Sequence, residues 1–213
     1  MSDKDYLKDI SEIKNIMNRS TRFLSLSGLS GILAGCYALI GAFITYKILE
    51  TSNYTFDYSE KTLRSNYDTI ANLKSTLIGL ALLVAFLSVI SAYFLTKQKA
   101  KKNNEKIWTP ASRQLLSSFA IPMITGGVFI FLLVQKGIYG IAAPAALIFY
   151  GLALINASKY TLSQVRFLGL LEILLGLLAL VFFGNGLLFW ILGFGVLHII
   201  YGGLMYFKME RSK

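Results

Sequence analysis

Cysteine and histidine are almost missing from this chain of 213 residues: it has one of each, Cys36 and His198. A single cysteine excludes an intrachain disulfide and any CxxC site. With one histidine, one cysteine and one acid inside the apolar runs, no HExxH helix or four-ligand zinc site can be assembled within the chain. Neither a P-loop nor a dinucleotide fingerprint occurs, so no metal, no cofactor and no catalytic residue are expected. Proline is scarce at three residues, and charge is scarce at 15% of the chain against 55% hydrophobic residues. That balance departs strongly from soluble averages. What the chain has instead is long apolar blocks.

Blocks of 18 or more apolar residues are candidate membrane spans. Six occur, at Phe23–Leu49, Leu73–Thr96, Leu115–Val134, Ile138–Asn156, Val165–Phe183 and Leu187–Phe207. The expected fold is therefore all-α, a polytopic membrane protein of six transmembrane helices. The expected layout is a cytoplasmic amphipathic N-terminal segment over residues 1–22, a six-helix transmembrane domain over 23–207 and a cytoplasmic tail over 208–213.

The net charge of +10 looks like a nucleic-acid signal. Topology explains it better, because cytoplasmic loops of membrane proteins are enriched in Lys and Arg. With the N-terminus inside, sixteen of the 21 basic residues fall on the cytoplasmic side, and only Lys47, Lys61, Arg64, Lys74 and Lys136 stay outside. Both termini are then cytoplasmic. The most basic segment, Lys97–Arg113, reads as a topology-holding loop, with no direct nucleic-acid partner. The N-terminal run starts too late and runs too long for a cleavable signal peptide.

Residues 5–19 place Leu7, Ile10, Ile13, Ile16 and Met17 at helical spacing among charges, the pattern of a helix lying on the bilayer surface. The first span carries two small-residue ladders, Ser27, Gly31, Gly35 and Ala34, Ala38, Ala42. They point to a helix packed on more than one side, or to a dimer seam. Cys36 within it is a small apolar filler. Tyr54, Phe56, Tyr58 and Tyr67 in the outer loop read as interfacial belt residues. Trp108-Thr109-Pro110 combines an interfacial Trp, an N-cap Thr and a first-turn Pro, so the third span should start near Pro110. Pro122 and Pro144 fall inside the third and fourth spans, where each should free a carbonyl; Ser117 and Ser118 are placed to satisfy the one freed by Pro122. Spans three-four and five-six look like a parallel repeat, each with a Gly-containing turn and then a Tyr-Gly step, Tyr150-Gly151 and Tyr201-Gly202.

The candidate site lies in the last hairpin. Glu172 has Gly169 and Gly176 on its own helix face, and His198 has Gly195 and Gly202 on its face. Such glycine stripes mark close helix packing in lipid. Glu172 lies six residues past Arg166, roughly 9 Å deep, and His198 ten residues before Lys208, about 15 Å from the same side. The pair is expected to meet across the hairpin. A lone carboxylate in hydrocarbon is costly, so Glu172 should be protonated or share a proton with His198. The structural role is a hydrogen bond that locks the hairpin; the functional role is a proton-responsive switch or relay.

Two resemblances follow from these segments. Gly169, Gly176, the Gly184–Gly186 turn, Gly193 and Gly202 resemble the glycine-spaced hairpins of the HdeD-like acid-resistance membrane proteins. Ser20–Gly31, Trp108–Arg113 and Asn156–Tyr160 resemble segments of a group of six-span bacterial inner-membrane proteins to which no activity is attached. Neighbouring small winged-helix regulators are associated with that group, which implies a sensory or regulated setting. Gly28-Leu29-Ser30-Gly31 with His198 is similar to the GxSG and His pattern of rhomboid proteases, but the serine comes too early and that family's oxyanion-hole His and Asn are missing. The expected role is a non-enzymatic accessory or sensory membrane protein. Its partners are the lipid bilayer and either a homo-oligomer or a partner membrane or cytoplasmic protein. The alternative is a small proton-coupled transporter or channel subunit using Glu172 and His198, with Ser88, Ser91 and Asn156 as further polar groups. An intramembrane serine protease is the distant one.

Overall fold

A computed structural model describes residues 22–51 and 67–210, so the surface helix expected over residues 5–19 and most of the outer aromatic loop lie outside the described residues. Six helices are long and apolar enough to cross a membrane. They are α1 (Gly28–Thr51), α2 (Tyr67–Lys102), α3 (Pro110–Gln135), α4 (Ala142–Ala157), α5 (Gln164–Val181) and α6 (Gly186–Lys208). No strand occurs among the described residues. This is the architecture of a multi-pass membrane protein.

The ends of the helices follow local chemistry. Thr109 caps α3: its hydroxyl accepts from the Ser112 N–H, while the Ser112 hydroxyl accepts from the Thr109 N–H, and Pro110 takes the first helical position. At the other end of α3, Gly137 adopts a positive φ of 78° in the turn to α4. Helix α2 runs for 36 residues, about 54 Å of helix against a hydrocarbon core of about 30 Å. It therefore projects beyond a bilayer and carries Lys97–Lys102 with it. The helix α6 is not uniform. Ile191–Leu197 is π-helical between two α-helical pieces, a feature that often sits at functional positions in helices.

The first span begins five residues later than its apolar run predicts. Phe23–Ser27 is not helical, and α1 starts at Gly28. The segment is held from several directions. The Phe23 N–H donates to Tyr160 O at 2.7 Å, and the Thr161 hydroxyl donates to Phe23 O at 2.7 Å. Lys99 donates to Leu26 O at 2.6 Å, and the Ser25 hydroxyl donates to Glu105. Hydropathy detects burial but not conformation, and here long-range partners do for the backbone what a helix would otherwise do.

Helix packing also departs from a pair of repeated hairpins. Helix α4 is sandwiched between α3 and α5, whereas α6 lies chiefly along α1, and α5 and α6 touch only lightly. The glycine stripes explain this. On α5, an added Cβ at Gly169 would stand 2.7 Å from Gly151 O, and one at Gly176 would stand 2.9 Å from Pro144 O, both on α4. On α6, Gly195 abuts Leu39, and Gly202 abuts the backbone of Gly28, Gly31 and Ile32. Gly31 and Gly35 of α1 in turn face α6. The stripes beside Glu172 and His198 thus seat two different neighbours and do not face each other.

The prolines differ as well. Pro144 lies in the first turn of α4, where its missing N–H costs no intrahelical bond, so the fourth span is unbroken there. Pro122 is within α3. Ser117 donates to Gln114 O at 3.1 Å, so its hydroxyl is spent one turn away from the Ser118 carbonyl that Pro122 frees.

Candidate functional site

Glu172 from α5 and His198 from α6 come together, with Oε1 of the carboxyl 3.4 Å from Nδ1 of the ring. Glu172 is fully buried and His198 is 6% exposed. Gly193, one turn before His198, makes the room: a Cβ there would stand 2.6 Å from Glu172 Oε2 and 2.4 Å from Leu147 Cδ2. Among the described residues, neither Glu172 oxygen has a hydrogen-bond partner. At 3.4 Å the Nδ1 contact is longer than an ordinary hydrogen bond.

A third member completes the cluster. The Tyr150 hydroxyl from α4 lies 2.7 Å from His198 Nε2. On the other side of the ring, Nδ1 lies 3.1 Å from Gly193 O. Two acceptors therefore surround Nδ1, which assigns a hydrogen to it, and Nε2 of the neutral ring then accepts from the Tyr150 hydroxyl. The order is Tyr150 hydroxyl, imidazole, then Gly193 carbonyl and Glu172 carboxyl. The cost of burying an unpaired charge leaves two arrangements, a neutral acid beside a neutral ring or a carboxylate beside an imidazolium. They differ by one proton, which in the imidazolium sits on Nε2, so that Nε2 then donates to the Tyr150 oxygen instead of accepting from it.

Helical spacing does not mark Tyr150 as a partner of His198; in the sequence the Tyr150-Gly151 step reads only as a repeat marker. The usable signal was chemical: a tyrosine buried in hydrocarbon needs a partner for its hydroxyl. Aromatic rings support the cluster from one side. Phe194 lies 5.2 Å from Tyr150 between ring centres and 4.5 Å from Trp190, and Phe119 meets Tyr150 edge-on at 6.0 Å.

These rings line a cavity of about 570 Å³ to which all six helices contribute, α5 through Val165 and Leu168, within the usual size range of ligand pockets. His198 and Tyr150 reach its lining, while the Glu172 carboxyl stays behind them against Leu147 and Gly193. The walls are overwhelmingly apolar. Ser88 and Ser91, expected as further polar groups, donate to Val84 O and Ser88 O of their own helix.

The Ser30–His198 dyad is not formed. The Ser30 hydroxyl donates to Ser27 O at 2.6 Å, and both ring nitrogens of His198 face other groups. Searches against protein-family models, curated proteins and solved structures returned no match.

Proposed function

We propose that the chain is a non-enzymatic accessory or sensory protein of the bacterial cytoplasmic membrane, with both termini in the cytoplasm, and that the Tyr150–His198–Glu172 chain is its proton-responsive element. The observation that carries this is a fully buried carboxyl without a hydrogen bond to either oxygen, 3.4 Å from the chain's single imidazole. Intramembrane ionisable groups are rare, and proton relays are among the functions they mark. Histidine changes charge in the physiological range, and a proton exchanged here would alter how α4, α5 and α6 are held together. The topology is supported by the distribution of Lys and Arg.

Hydrogen exchange of the full-length protein in lipid nanodiscs tests the proposal. Protection of α4 and α6 should differ between pH 5.5 and pH 7.5 in the wild type, and that difference should vanish in Glu172→Gln at unchanged fold and abundance. If the pH-dependent difference persists in the variant, the carboxyl is not the responsive group. The cavity that ends at His198 supports the alternative, a small proton-coupled transporter or channel subunit. Uptake into proteoliposomes that responds to pH and is lost in Glu172→Gln would favour it.

A further inference from the structure

The cavity has an open side. Among the described residues α2 packs chiefly on α1, and α3 on α4 and on the turn at Ser158–Tyr160, so no extensive helix-to-helix seam closes the space between α2 and α3. Small residues keep that space empty: Ala34 and Ala38 on α1, Ala81, Ala85 and Ala92 on α2, and Gly127 on α3 all line it. Along α2 the lining runs from Ala81 to Ala92, about 17 Å of helix axis, close to one leaflet of a hydrocarbon core about 30 Å thick. An apolar trough of that length matches a single acyl chain.

One end of the trough is strongly basic. The end of α2, the turn after it and the first residues of α3, which together span the foot of the opening, contain Lys97, Lys99, Lys101, Lys102, Lys106 and Arg113, with Glu105 as their single acid. Lys99 donates to the carbonyl of Leu26, a lining residue, which sets this charge at the lip. Arg113 is exposed two residues before Leu115, another lining residue. The carboxylate of Glu105, which would oppose an anion, accepts from Ser25. Basic groups beside a membrane attract anionic headgroups by about 1 kcal/mol each.

We infer that the cleft between α2 and α3 binds an anionic phospholipid of the surrounding leaflet, one acyl chain in the trough and the headgroup phosphate on the Lys97–Arg113 segment. This rests on the bundle spanning a bilayer, and it is independent of any proton response. The acyl chain would then lie against Phe119, Phe194 and the exposed edge of the His198–Tyr150 pair, so that lipid occupancy and the polar cluster share a wall.

Tryptophan quenching by lipids with brominated chains tests the inference on the full chain in vesicles. Trp108 and Trp190 are replaced by Phe, and one reporter is introduced, either Phe119→Trp inside the trough or Phe43→Trp on the exposed outer face of α1. Vesicles contain dioleoylphosphatidylcholine with either brominated phosphatidylglycerol or brominated phosphatidylcholine. At residue 119, phosphatidylglycerol should quench more strongly at equal mole fraction, whereas residue 43 should not distinguish the two lipids. Neutralising Lys106 and Arg113 to Gln should weaken the preference at residue 119 by roughly fivefold per cation. Filling the trough with Ala85→Phe should remove quenching at 119 and leave it at 43. Equal quenching at 119 by both lipids overturns the headgroup assignment, and insensitivity to Ala85→Phe overturns the acyl-chain site. Protection of 119 from both lipids, with cross-linking between copies at this face, would make the occupant a second chain. Absence of quenching at 43 would overturn the membrane reading itself.

Discussion

Alanine at two adjacent glycines separates seam packing from general helix effects. A methyl group at Gly202 would lie 2.6 Å from Ile32 N, 2.7 Å from Gly28 O and 3.0 Å from Gly31 C, all backbone atoms of α1. Ordinary contact starts at 3.4 Å, so the two helices would have to part by about 0.8 Å at this point. No side-chain rotation can relieve backbone contacts. The same separation would loosen the approaches of Gly28 to Tyr206 and of Gly35 to Gly195, which lie along the same seam. Gaps of 0.5–1 Å forfeit about a quarter to a half of each dispersion contact, and overpacking costs about 1–3 kcal/mol. Against this stands the gain of up to about 1 kcal/mol for Ala over Gly in a helix. Gly202→Ala should therefore destabilise the protein by about 1–2 kcal/mol. At Gly203 an added Cβ meets nothing within 4 Å, so Gly203→Ala should be neutral or mildly stabilising. Reversible unfolding in bicelles measures both. If the two variants fall within 0.5 kcal/mol of each other, the α1–α6 seam is not packed as described.

Other perturbations probe the cluster and the topology. Tyr150→Phe deletes the hydroxyl 2.7 Å from His198 Nε2 and should cost about 1 kcal/mol in the same unfolding assay. Gly193→Ala drives a methyl group into the Glu172 carboxyl; its cost should fall by about 0.5–3 kcal/mol when Glu172→Ala is also present, as a double-mutant cycle would report. In a Cys36→Ser background, a cysteine replacing Lys106 should react with an impermeant maleimide only after the cytoplasmic face is opened. One replacing Lys136 should react in intact cells, and the reverse labelling would invert the topology.

Much of the architecture is legible in composition because lipid imposes length and apolarity on every span, and a cap such as Thr109-Pro110 declares a helix start by local chemistry. Glu172 and His198 stood out for a related reason: ionisable groups inside apolar runs have few tolerable environments. Partner choice was not legible. Gly169 and Gly202 announce close approach, yet nothing local says that one meets Gly151 and the other meets Gly31, since both are decided by tertiary packing. The non-helical strap at Phe23–Ser27 is hidden for the same reason, its partners Tyr160, Thr161, Lys99 and Glu105 being distant in sequence. The π-helical turn at Ile191–Leu197, which places Gly193 O against the His198 ring, carries no signature that periodicity would register.

Because His198 is the chain's single histidine, nitrogen NMR of protein labelled with ¹⁵N-histidine reads the centre of the cluster without assignment. In bilayers, Nδ1 should carry hydrogen and the ring resonances should move in both Tyr150→Phe and Glu172→Gln. A ring protonated at Nε2 alone, with shifts indifferent to both substitutions, would contradict the coupling of tyrosine, imidazole and carboxyl.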